Sequence, residues 1–238
     1  MVVAKNTGII VELIEMKKRP VGRPRADGKP QVSRGSIFIA ATGLIAKYGY
    51  AGTSLRMIAD ELDIQAPSIL NLFKSKERLL IELMAFLSQF SLEFYEALNR
   101  EKVEADIFLY KTVYEEVKAV SGANRDVTAI FYLPELRLPA FKEAQEHRAK
   151  MIRHYKSQLS IGVEKGLFCP MNEELRAEQV FQLTETAIIA LNPTQFGSVE
   201  QQAKSTADFV MLGLLVNPKR LPEIMKQALA IPLKIGGQ

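Results

Sequence analysis

One cysteine, two histidines and no tryptophan occur among the 238 residues. The single thiol, Cys169, has no intrachain partner for a disulfide, which fits a reducing compartment, and the expected location is the cytoplasm. Glu143, His147 and His154 share one helical face, but no Cys pair or carboxylate cluster supports them as metal ligands, so neither a metal nor a cofactor is implied. The longest nearly apolar run, 209–216, falls far short of the ~20 residues needed to cross a bilayer, so no membrane partner is expected. Gly-rich phosphate loops, HExxH and Ser/His/Asp or Cys/His motifs are also missing. The chain therefore reads as a binder rather than an enzyme.

Hydrophobic residues at 47% and charged residues at 24% are ordinary for a globular chain with room for one medium and one small domain. The charge is placed unevenly. Residues 1–35 carry eight Lys and Arg against three acidic residues, a net +5 where the whole chain has +4. A basic end on a nearly neutral body is the footprint of a nucleic-acid contact made at that end. Glu12 and Glu15 interrupt the apolar GIIVELI ahead of it and no small-residue cleavage site follows, which argues against a signal peptide; translation starting at Met16 instead of Met1 is an alternative. The segment KKRPVGRPRADGKP has no hydrophobic period and should be disordered alone. Its Gly22-Arg23-Pro24-Arg25 resembles the AT-hook tripeptide, whose extended Arg side chains lie in the narrow minor groove of A·T-rich DNA.

Residues 53–76, TSLRMIADELDIQAPSILNLFKSK, are the most informative stretch. Leu55, Ile58, Ala59 and Leu62 form an apolar stripe at i, i+3, i+4 and i+7, with Thr53 or Ser54 able to cap the helix they define. Asp63 interrupts, at a tight turn that calls for positive φ. A second helix opens at Gln65-Ala66-Pro67-Ser68, with Pro67 in the first turn where its missing N–H costs nothing. Ile69, Leu72 and Phe73 face inward, leaving Ser68 and Asn71 outside. A preceding helix over 33–48 places Ile37, Phe38, Ala41, Leu44, Ile45 and Tyr48 on one face and stops at Gly49.

Residues 37–80 resemble the DNA-binding domain of the TetR family of bacterial transcriptional regulators. The likeness is carried by AATGLIAKYGYAGTSLRMIADELDI and by Phe73, Ser75, Lys76, Glu77, Leu79 and Leu80. The chain departs from the family where Asp63 replaces the usual turn Gly, Leu70 a phosphate-contacting Tyr, and Leu72 a frequent His or Tyr. Losing that Tyr hydroxyl removes a phosphate hydrogen bond, for which the basic arm would compensate. The resemblance implies that the second helix of the pair enters the major groove. It places Gln65, Ala66, Pro67, Ser68 and Asn71 at base edges and Thr53, Ser54, Arg56, Lys74 and Lys76 at phosphates, with Arg23 and Arg25 of the arm adding groove contacts.

Beyond residue 75 the pattern is long helices. Leu79, Leu80, Leu83, Phe86, Leu87, Phe90, Phe94 and Leu98 predict one rod; further helices are expected over 106–120, 126–133, 140–165, 172–191 and 199–216, punctuated by prolines. The last two are apolar on more than one face, which suits a four-helix homodimer interface. Phe108, Tyr114, Phe131, Tyr132, His147, Met151, Tyr155, Phe181 and Glu185 are candidates to line a cavity for a largely apolar small-molecule effector, although an aromatic stripe is more often plain core.

The sequence thus predicts an all-α protein: a flexible basic arm (1–32), a three-helix helix-turn-helix DNA-binding domain (33–76) and a larger helical ligand-binding and dimerisation domain (77–238). The function expected is a homodimeric regulator of transcription, a repressor that leaves double-stranded DNA when a small-molecule ligand binds. The alternatives are a helical protein-interaction module and a small-molecule enzyme that does not use DNA.

Overall fold

The computed structural model describes residues 32–121, 125–190 and 197–232. The candidate groove residues Arg23 and Arg25 lie outside them. Among the described residues the regular structure is helical, with one isolated antiparallel bridge between Phe168 and Leu215. None of these helices is long and apolar enough to cross a membrane. The chain divides into two compact units, one made of the residues up to Ser88 together with 123–146, the other of 89–122 and 147–238.

The first unit begins with helix α1 (Arg34–Gly52), whose N-terminus is closed by a capping box: the Ser33 hydroxyl accepts from Ser36 N and the Ser36 hydroxyl from Ser33 N, both at 3.0 Å. Gly49 breaks the helix at φ 74°, a conformation open to Gly at little cost. The break shifts the helical phase, which periodicity did not anticipate. Tyr48, expected on the buried face, is 48% exposed, while Tyr50 is buried and meets the Phe141 ring edge-on at 5.6 Å. Helices α2 (Leu55–Glu61) and α3 (Ala66–Phe73) follow, with Asp63 in the turn at φ 52°, as its position required. Lys74 then takes φ 65° and turns the chain into α4 (Lys76–Arg100). Ile37, Phe38, Ala41, Ile45, Ile58, Ala59, Ile69, Phe73, Leu79, Leu80 and Leu83 are buried together, with the Phe38 and Phe73 rings 5.5 Å apart. Leu44 and Leu72, expected in this core, are only half-buried.

Helix α6 (Arg125–Phe131) packs along α1, and the short 3-10 turns Pro134–Arg137 and Pro139–Phe141 lead into α7 (Lys142–Glu164). Arg78 ties the start of α4 to this segment, reaching Glu82 at 2.9 Å and Glu143 at 2.6 Å, and Arg34 also pairs with Glu82. Helical periodicity places the segment 125–146 with the regulatory half, whereas its contacts count it with the helix-turn-helix.

In the second unit, α5 (Ala105–Ser121) is enclosed by α8 (Glu173–Ala190), α9 (Val199–Leu212) and α10 (Leu221–Ala230). Enclosure explains why nearly every turn of α5 is buried, including Asp106, whose carboxylate pairs with Arg220 at 2.9 Å. Asn172 caps α8 as expected, its Oδ1 accepting from Leu175 N at 3.0 Å. Helix α10 was not anticipated. Gly162 in α7 lets the Phe168 ring lie directly on the backbone, where a Cβ would stand 2.0 Å from Phe168 Cδ2.

Candidate nucleic-acid interface

Helices α2 and α3 present one face to solvent. Gln65, Pro67, Ser68, Leu70, Asn71 and Lys74 are exposed and Ala66 is half-buried, while Ile69 and Phe73 anchor the other side of α3. The α2 N-terminus is capped by Ser54, whose Oγ accepts from Met57 N at 3.1 Å and still has its own proton to donate outward. Arg56, on the next turn, keeps 86% of its side chain exposed and lies 3.9 Å from Asp60, a loose pair that leaves the guanidinium available. Lys74 donates to Asn71 O at 3.1 Å from an exposed position at the end of α3.

Two expected phosphate contacts have other employment. The Thr53 side chain is buried and its hydroxyl donates to Gly49 O at 2.9 Å. The Lys76 ammonium donates to Tyr50 O and Thr53 O, both at 2.9 Å, and sits 4.2 Å from the Tyr50 ring centroid. These residues close the corner between α1 and α2, where Tyr50 O also accepts from Thr53 N at 3.2 Å and the carbonyls at the helix end need further donors. A linear pattern marks a lysine in the right place but not the carbonyls it is aimed at.

The candidate effector residues separate. Phe131 and Tyr132 belong to the first unit, Tyr132 being 40% exposed. In the second unit Phe108, Tyr114, Tyr155 and Phe181 are buried, whereas His147, Met151 and Glu185 are half-buried. Several of them surround a group that periodicity missed. Glu116 on α5 is buried and accepts from Tyr95 OH at Oε1 and from Tyr155 OH at Oε2, each at 2.5 Å. Tyr95 stacks on His154 at 4.7 Å and on Phe108 at 6.4 Å; Tyr155 meets Phe181 edge-on at 6.3 Å. Arg148 grips Glu178 with two hydrogen bonds, 3.0 and 3.2 Å, and lies 4.8 Å from the Phe181 ring centroid.

Burial raises Glu116 to about 7 against the downward pull of the two tyrosines, and raises Glu185 likewise to about 7 against the pull of Arg148. Burial, helped by Arg153, lowers His154. No signal in the linear pattern marks Glu116, because the buried arc of α5 is too wide for helical phase to separate it from Glu115.

On α9, Val210 and Met211 point into the core while Phe209 and Leu212 are 69% and 53% exposed, and Val216 just beyond is 55% exposed. Both surfaces expected of this helix are therefore present.

A three-helix unit whose final helix offers a Pro-Ser-Asn face beside cationic neighbours is the helix-turn-helix of a DNA-binding regulator. The model of the bacterial regulatory proteins of the tetR family matches residues 32–83. Comparison with curated proteins gives no match. Among solved structures, AmtR of Mycobacterium smegmatis is 25% identical, with a TM-score of 0.66 over 88% of this chain and 99% of that one. The ketosteroid transcriptional regulator KstR2 of Mycobacterium tuberculosis is 19% identical, with a TM-score of 0.66 over 84% and 100%. AibR, in complex with isovaleryl coenzyme A and operator DNA, is 19% identical, with a TM-score of 0.64 over 74% and 96%. Residues 32–83 thus carry the helix-turn-helix segment of the tetR-family regulators, and the solved structures show a shared fold over most of the chain.

Proposed function

We propose that this protein is a cytoplasmic repressor that binds operator DNA as a homodimer and leaves it when a small molecule enters the second unit. It acts by binding and not by catalysis. The observation that carries this reading is the exposed face of α3 set on a buried scaffold of Ile69 and Phe73. Gln65, Pro67, Ser68 and Asn71 read base edges, with Ala66 at the margin. Asn is suited to adenine N6 and N7, and Pro to a thymine methyl. Ser54, Arg56 and Lys74 hold phosphates, and Arg23 and Arg25 of the arm add minor-groove contacts that favour A·T-rich flanks without reading individual bases. Thr53 and Lys76 hold the corner that orients α2 and α3.

A pair of half-sites needs a pair of reading heads. Phe209, Leu212 and Val216 supply an apolar strip for the second copy. The effector enters among Phe108, Met151, Tyr155 and Phe181, with Glu116, His147 and Glu185 giving polar contacts; AibR with isovaleryl coenzyme A and operator DNA supports a ligand and DNA on one such fold. Ligand binding favours a separation of the two α3 helices that no longer fits successive major grooves.

A gel-shift titration against the DNA upstream of its own gene, at several salt concentrations, tests this. Sequence-selective binding with a steep salt slope is expected, and Arg23→Ala with Arg25→Ala should weaken it most at A·T-flanked sites. Binding that ignores sequence would overturn the assignment.

A further inference from the structure

Within residues 53–76 one large apolar side chain is exposed, Leu70, at 42%. A single surface leucine ordinarily needs no explanation. This one lies on the face of α3 that carries the hydrogen-bonding residues, and its place on that face is specific. Ile69 and Phe73 are fully buried and fix the inward direction of the helix. At about 100° per residue the opposite arc runs Leu70, Lys74, Pro67, Asn71, Ser68. The face is thus divided lengthwise: Pro67 and Leu70, one turn apart, put carbon on one side with exposed Lys74 a turn beyond Leu70, and Ser68 and Asn71, one turn apart, make a polar side.

The major groove offers one apolar feature that varies with sequence, the C5 methyl of thymine. The polar side of α3 has no means of distinguishing a thymine methyl from its absence; the apolar side has two adjoining carbon surfaces for it. We infer that Leu70, one turn from Pro67 on the same side of α3, is a specificity-determining residue that receives a thymine C5 methyl in each half-site, so that this position of the operator is read by shape and apolar contact instead of a hydrogen bond. The inference rests on the assignment of α3 as the reading helix. It gives Leu70 a positive role where the family resemblance shows only a lost phosphate contact. It also divides labour on the helix, with phosphate grip left to Ser54, Arg56, Lys74 and the arm.

The test uses the full chain and lets the protein choose its own operator. A random-sequence duplex pool is selected on the protein, and the recovered sequence is synthesised with deoxyuridine replacing each thymidine in turn, which removes only the methyl. Affinities are measured by fluorescence anisotropy for wild type, Leu70→Ala and Leu70→Met. One thymidine per half-site should weaken wild-type binding about fourfold when replaced, the loss expected for one buried methyl. Leu70→Ala should be indifferent to that replacement, and Leu70→Met should keep most of the discrimination. Deoxyuridine penalties identical in wild type and Leu70→Ala at every position would overturn the inference while leaving the regulator assignment standing. A lowered melting temperature for Leu70→Ala would show that the leucine serves the core, and overturns it too. Recovery of no selected sequence would instead refute the regulator assignment, and this inference with it.

Discussion

Glu116 makes the second unit less stable as the pH rises, and the size of the effect follows from its surroundings. The carboxyl is buried, with both oxygens held by tyrosine hydroxyls and no Lys or Arg hydrogen-bonded to it among the described residues, and it stands at about 7 against an ordinary 4.5. In the unfolded chain it ionises near 4.5 and in the folded chain only near 7. Below the lower value both states are protonated and nothing is lost. Between the two values the unfolded state gives up its proton and the folded state keeps it, so stability falls as pH rises and levels off above the folded value. At about 1.4 kcal/mol per tenfold change in proton affinity, the group costs on the order of 2–3 kcal/mol between pH 5 and pH 8.

Urea unfolding of wild type and Glu116→Gln at those two pH values measures it. The glutamine keeps an acceptor for one tyrosine and offers its amide to the oxygen of the other, so it preserves the packing while removing the titration. Wild type should lose stability from pH 5 to pH 8 beyond what the variant loses, by on the order of 2–3 kcal/mol. Glu185, also raised to about 7, contributes in the same direction, so the variant should retain a residual slope that Glu185→Gln removes. A Glu116→Gln protein destabilised equally at both pH values, with the wild-type slope intact, would refute the reasoning: the carboxyl would then matter as a hydrogen-bond acceptor and not as a charge.

Lys76→Met should destabilise the first unit by about 1–3 kcal/mol in chemical unfolding, because Thr53 O loses its donor and Tyr50 O is left with Thr53 N alone. Lys74→Met should leave stability unchanged and instead lower the salt slope of DNA binding by about 1 per half-site. Gly162→Ala drives a methyl into the ring of buried Phe168 and should cost about 1–3 kcal/mol, seen as a lower unfolding midpoint. Phe209→Asp with Leu212→Asp places charges on the exposed strip of α9; sedimentation should show monomers that keep their helical circular dichroism, and DNA affinity should fall because one reading head is lost.

The helices of the first unit were legible because two local signals agree there. The apolar spacing of Leu55, Ile58, Ala59 and Leu62 and the capping and turn residues Ser54, Asp63 and Pro67 set the same boundaries, and tertiary contacts had only to accept them. Where contacts between distant residues decide, the pattern fell short. Nothing within four residues of Lys76 reveals that it binds carbonyls at Tyr50 and Thr53, 26 and 23 positions earlier. Nor does the helical pattern over 126–133 show that it rests on α1. Glu116 is the most instructive case. Its sequence neighbourhood advertises an exposed carboxylate, Tyr-Glu-Glu after an apolar run, and one of the pair does behave so: Glu115 is half-exposed and pairs with Lys111 at 2.8 Å. The other turns 100° further, into a core where two tyrosines from different helices wait for it. One residue of phase separates a surface ion pair from a buried group that ionises near neutrality. Periodicity over an amphipathic helix resolves such a step only when the apolar arc is narrow, and on α5, enclosed by its neighbours, it is not.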